Sequence, residues 1–93
     1  MVLDTSALVA MLLAEPEAPG MVAAIARDPS RLVGAPTLVE AAAVMRSRKG
    51  PGGEVALDAL MEKLDIRILD MTATAAKLSR LGYARFGKGV GDP

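Results

Sequence analysis

Two carboxylates in this 93-residue chain stand alone in apolar surroundings. Between Val2 and Ala14 the only ionisable side chain is Asp4, and between Leu32 and Met45 it is Glu40. A carboxylate in such a setting is costly unless a cation, a donor or a proton satisfies it. The two are therefore read together, as halves of one acidic site. Brought to about 5 Å, two anions would repel by about 3 kcal/mol at an effective dielectric near 20, and a divalent cation removes that repulsion. Oxygen-only ligation selects a hard ion, Mg²⁺ or Mn²⁺, which keeps several waters. Such a water can serve as nucleophile on a phosphodiester while a carboxylate orients or deprotonates it. The chain contains neither cysteine nor histidine, which excludes thiolate sites, zinc pairs and an imidazole base. Thr5 and Ser6 follow Asp4, but no histidine or well-placed lysine is there to activate them as covalent nucleophiles. Their expected work is helix capping, or a hydroxyl contact to a metal-bound water.

Each acid also has a structural role open to it. Asp4 can cap the helix that follows, and Glu40 can close a capping box with Thr37.

The elements that must position these acids alternate along the chain. Val2-Leu3 predicts a short strand, and Leu8, Met11 and Leu12 recur at helical spacing after a Thr5-Ser6 start. Glu15 to Gly20 interrupts, Met21 to Arg27 predicts a second helix closed by Asp28-Pro29, and Arg31 to Gly34 a second strand. Pro36 suits the first turn of a third helix, with Leu38, Ala41, Ala42 and Met45 on one face, and its apolar opposite face predicts burial on most sides. Gly50-Pro51-Gly52-Gly53 reads as a helix-to-helix loop; it lacks the preceding strand and the Lys-Ser/Thr ending of a phosphate loop. Leu57, Leu60, Met61 and Leu64 form the stripe of a fourth helix, with Glu54, Asp58 and Glu62 on its solvated face. Ile66 to Leu69 predicts a third strand, and Thr72 the cap of a fifth helix from about Ala73 to Phe86. The glycine-rich ending from Gly87 to Pro93 predicts a loop.

Strands alternating with helices predict parallel βαβ units, in which ligands sit at the carboxyl ends of the strands. Asp4 falls at the carboxyl end of the first strand. Glu40 falls in the helix that follows the second strand, so both acids open on one edge of the sheet.

Composition fits one small α/β domain over residues 1–93: 52% of residues are hydrophobic and 24% charged, with 11 basic against 11 acidic side chains. A chain of this size hides roughly two thirds of its unfolded surface. The apolar run from Ala7 to Ala14 is too short to span a bilayer and follows no basic segment, which predicts neither membrane helix nor signal peptide and a cytoplasmic protein. Arg46, Arg48 and Lys49 form one basic cluster, and Lys77, Arg80, Arg85 and Lys88 lie in the last quarter; such clusters suit phosphates or solvated helix ends equally. With Tyr83 and Phe86 the only aromatics, base stacking can supply little selectivity.

Val2-Leu3-Asp4-Thr5-Ser6-Ala7-Leu8-Val9-Ala10, then Ala35-Pro36-Thr37-Leu38-Val39-Glu40, then Leu81-Gly82-Tyr83-Ala84-Arg85-Phe86-Gly87-Lys88-Gly89 resemble successive segments of the PIN domain of VapC-type toxins, in register along the chain. The resemblance implies a three-layer α/β/α fold on a parallel sheet, and a Mg²⁺- or Mn²⁺-dependent endoribonuclease. It further implies the toxin of a type II toxin–antitoxin pair, usually dimeric and neutralised by a VapB-type antitoxin. By motif, Asp4 matches the first acid of the site, Glu40 the second, and Ser6 the hydroxyl beside the first. In the family the glycine-lysine-glycine stretch leads into an Asn-x-x-Asp-Cys-like segment with the third acid, then two more strands. This sequence ends at Pro93, Asp92 precedes that position, and the third role is not carried onto it; Asp70 reads as a helix-start residue. The expectation is a PIN-like domain lacking its last strands, with the first strand an open edge that seeks a partner or self-associates. The alternative is an inactive remnant that only binds an antitoxin or another copy of itself.

Overall fold

A two-residue strand, β1 (Val2–Leu3), gives way at Asp4 to helix α1 (Thr5–Leu12) with no intervening loop. The computed structural model describes residues 1–70 together with Ala73 and Lys77. After α1 come α2 (Ala18–Arg27), β2 (Leu32–Gly34), α3 (Ala35–Lys49), α4 (Pro51–Lys63) and β3 (Arg67–Leu69). The strands form one parallel sheet in the order β1-β2-β3, with Leu3 beside Val33 and Val33 beside Ile68. The α/β class and the parallel sheet are those expected. Of the expected fifth helix, Ala73 and Lys77 alone are described, both helical and exposed. Thr72, the remainder of that helix and the Gly87–Pro93 loop lie outside the described residues.

Among the described residues the core is a single cluster. Leu3 and Val33 from the sheet meet Ala7, Leu8 and Ala10 of α1, Met21 and Ile25 of α2, Ala41 of α3, Leu57 of α4, and Leu64 just beyond its end. Both crossovers advance across the sheet in the same direction, so right-handed connections put their helices on one face, and α1 accordingly packs on α2, α3 and α4. Leu3, Leu8 and Val33 are completely excluded from solvent. Truncating a leucine in such a place costs about 2–5 kcal/mol.

The boundaries depart from the sequence expectation in instructive ways. Helix α2 starts at Ala18, ahead of the expected Met21, because Pro19 falls at its second position, where a missing N–H costs nothing. Helix α3 is not buried on most sides: Ala41 and Met45 are buried, whereas Val39 is 70% exposed and Ala43 faces solvent. Among the described residues, neighbours cover α3 along one side. The Gly-Pro-Gly-Gly segment is not a loop but a corner: Gly50, at φ +67°, is the whole connection, and Pro51 is already the first residue of α4. Gly53 explains the composition of that corner, since a Cβ there would lie 2.2 Å from the Met45 carbonyl oxygen. The hairpin of α3 on α4 closes only with no side chain at that point. Arg46 and Glu54 clip it from outside through two hydrogen bonds of 3.1 and 2.7 Å. The hydrogen bond to Glu54, and then the attraction of its charge, hold the Arg46 guanidinium above its ordinary pKa.

Helices α1 and α4 end alike. Glu15 N–H donates to the Ala10 carbonyl at 3.0 Å and Ala14 N–H to Met11 at 3.2 Å; Ile66 and Asp65 repeat the pair onto Met61 and Glu62. This double closure needs a left-handed residue and ordinarily recruits glycine. Here alanine and aspartate take the position, Ala14 at φ 52° and Asp65 at φ 49°.

Candidate functional site

Asp4 ends β1 in extended backbone conformation, at φ −100° and ψ 172°, and caps α1. Its Oδ1 accepts the Ala7 N–H at 2.8 Å and its carbonyl accepts the Leu8 N–H at 3.2 Å. The cap is thus the acid itself rather than the Thr5-Ser6 pair, which forms the first turn of α1, half-buried beside it. A carboxylate at a helix start is favoured by the orphan N–H groups and the dipole, which is how this one tolerates its apolar neighbours. Its second oxygen, Oδ2, accepts no hydrogen bond among the described residues.

Glu40 is placed differently. Helix α3 begins directly at the end of β2 with Gly34 as its cap residue and no side-chain cap bond. Thr37 is therefore inside the helix, and the Thr37–Glu40 capping box does not form, because a box requires its hydroxyl residue at the cap itself. Glu40 lies in the second turn, exposed, with no hydrogen bond or ion pair among the described residues.

Because β1 and β2 are adjacent and parallel, and each feeds its helix without a loop, Asp4 and Glu40 both belong to the carboxyl edge of the sheet, on helices α1 and α3 that pack together. The donor set there is oxygen only: the Asp4 and Glu40 carboxylates and the Thr5 and Ser6 hydroxyls. That set suits a hard divalent cation. No cluster of three or more acidic side chains that could hold a metal ion occurs among the described residues. Asp70 follows β3, exposed, and Asp92 lies outside the described residues. Arg31 and Arg67 lie at the opposite edge of the sheet, where the Arg67 N–H donates to the Arg31 carbonyl at 2.9 Å.

Helices α1 and α2 leave an apolar groove of about 630 Å³ between the end of one and the body of the other, lined by Met11, Pro16, Pro19 and Val22 among others. No helix of the described residues is long and apolar enough to cross a membrane.

Known proteins place this arrangement. A ribonuclease VapC of Mycolicibacterium smegmatis is 40% identical over 89 residues, covering 96% of this chain and 69% of that protein. Ribonuclease VapC30 of Mycobacterium tuberculosis is 38% identical over 89 residues, covering 96% of this chain and 68% of its own length. Ribonuclease VapC28 of the same species is 36% identical over 93 residues, all of this chain and 70% of that protein. The family model described as PIN domain matches residues 1–92. A strand ending on an acid that caps its own helix, a second acid on the helix after the adjacent strand, and relatives of this similarity make the chain a member of the PIN domain family, of the VapC type.

Proposed function

We propose that the chain is a divalent-metal-dependent endoribonuclease, the toxin of a type II toxin–antitoxin pair, acting on RNA in the cytoplasm. The observation that carries this reading is the pair of carboxylates at one sheet edge, Asp4 with Oδ2 uncommitted and Glu40 with no protein partner among the described residues. Asp4 and Glu40 would hold Mg²⁺ or Mn²⁺, which when bound supplies positive charge at the scissile phosphate and lowers the pKa of a water. Asp4 is fixed by its bond to the Ala7 N–H, so its free oxygen is presented in one direction. Glu40, on a rigid helix with an unencumbered carboxylate, orients the attacking water and accepts its proton. The hydroxyls of Thr5 and Ser6 belong to the first turn of α1, directly after Asp4, where they can donate to a water in the same site. A VapB-type antitoxin and a second copy of the chain are the proposed partners. The α1–α2 groove supplies apolar surface for the former, and exposed Val39, Val55 and Ile68 supply it for contacts of either kind.

The test is cleavage of RNA by the purified chain with Mg²⁺, with Mn²⁺ and with chelator, set beside Asp4→Asn and Glu40→Gln. Metal-dependent cleavage that falls by at least about 100-fold in either variant supports the reading. Cleavage indifferent to Asp4 overturns it, and folded protein that binds an antitoxin without any cleavage points instead to an inactive binding module.

A further inference from the structure

The apolar groove of about 630 Å³ follows α2 from Glu15 and Pro16, ahead of the helix, to Ala26 in its last turn. Among the described residues Glu15 is the single charged one lining it. Its place is fixed, because its N–H donates to the Ala10 carbonyl at 3.0 Å and its own carbonyl accepts the Ala18 N–H at 2.9 Å. The Glu15 carboxylate has no hydrogen bond or ion pair among the described residues. At the far end Arg27 follows Ala26, exposed and equally without a partner among them. Asp28 beside it is engaged by the Met1 amino group at 3.1 Å and the Ser30 N–H at 2.9 Å. One apolar surface thus carries an unpaired acid at one end and an unpaired base at the other.

A surface with opposite charges at its two ends is complementary to itself after half a turn. Two copies of α2 laid antiparallel bring Arg27 of each to the end of the groove that holds Glu15 of the other, with Val22 and Ala23 of both copies between. A parallel pair would set acid beside acid and base beside base. The exposed side of α2 carries small residues, Pro19, Gly20, Ala23 and Ala26, so a second helix can approach closely. A side chain added at Gly20 would meet nothing within the chain. We propose that this groove is a docking surface for a second copy of the chain, α2 against α2 in antiparallel order. One helix pair buries little area, which places the dimer in the weak, transient class. The pairing does not depend on the ribonuclease reading, and an antitoxin that entered the same groove would displace the second copy.

The experiment is sedimentation equilibrium of the full chain from about 10 µM to about 1 mM. A reversible monomer–dimer equilibrium is expected. Glu15→Arg and Arg27→Glu each set like charges together at both ends and weaken association by about tenfold or more. The double variant Glu15→Arg/Arg27→Glu exchanges the charges, restores both pairs and returns association to near the parent value, a rescue that a purely structural role for either residue does not produce. Ala23→Gln, at an exposed helical position, weakens association by bulk alone. Each variant is melted at the dilute end of the range, where unchanged unfolding shows that the loss lies in docking. A chain that stays monomeric throughout overturns the proposal, as does a dimer indifferent to the single reversals or a double variant no better than either. A dimer broken by Val39→Asp and untouched by the α2 variants also overturns it, and moves the interface to α3.

Discussion

Two strands of this sheet run straight into helices, and the two junctions solve the same problem in opposite ways. At the first, Asp4 directly follows β1 and caps α1, with one oxygen committed to Ala7. At the second, Gly34 starts α3 without any side-chain cap, and Glu40 is carried clear of the junction with no partner among the described residues. One acid therefore stabilises the fold and keeps its second oxygen without a partner among the described residues; the other makes no hydrogen bond or ion pair among them. Burial follows the same division, Asp4 being half-buried and Glu40 exposed. What separates them is which backbone donors each can reach.

The sharpest way to break that comparison is to remove charge and keep hydrogen bonding. Asp4→Asn retains a good capping residue, so it is expected to cost about 10²–10³-fold in RNA cleavage while melting close to the parent chain. Glu40→Gln should lose at least about 100-fold with no change in melting at all. If Asp4→Asn unfolded the protein, the division of labour argued for Asp4 would be wrong.

Much of this arrangement is legible in the sequence. Asp4 and Glu40 stand out because each is the sole charge in a long apolar stretch, and the parallel sheet follows from strands alternating with helices. The fates of the two side chains were not legible. Whether Thr37 lies at the cap or inside the helix depends on one residue of register, and that register is set by how β2 docks beside β1. The Gly50–Gly53 corner read as a loop for a related reason: the requirement for glycine at Gly53 comes from the Met45 carbonyl across the hairpin, a contact no local pattern encodes. Helix α3, apolar around most of its circumference, gives no sign of which side its neighbours cover.

A third helix start widens the comparison, because α4 relies on close approach where α1 relies on a cap. Gly53→Ala would press a methyl group into the Met45 backbone, and a loss of about 1–3 kcal/mol in denaturant unfolding is expected. Asp4→Ala deletes the cap of α1 outright, and a smaller loss of about 1 kcal/mol should appear, a fall of roughly 4–8 °C in melting temperature for a domain of this size. The helix ends complete the series with a gain. Ala14 holds a left-handed conformation that disfavours a Cβ, so Ala14→Gly is expected to stabilise by about 0.5–1 kcal/mol after the added flexibility of the unfolded chain is subtracted. A loss there would mean that the alanine methyl packs better than the backbone geometry implies.

The tight crossing at Gly53 also bears on the order in which the molecule assembles. It joins residues close together in the chain, whereas β1, β2 and β3 must each find a partner across a long intervening segment, and closing long loops is what slows folding. The α3–α4 hairpin is therefore expected to serve as a nucleus, a role that Gly53→Ala would reveal by slowing folding more than it speeds unfolding. The edge carrying Asp4 exists only once the distant strands have aligned. A nascent or half-folded chain would then hold its acids apart, and hydrolytic competence would arrive with the last step of folding.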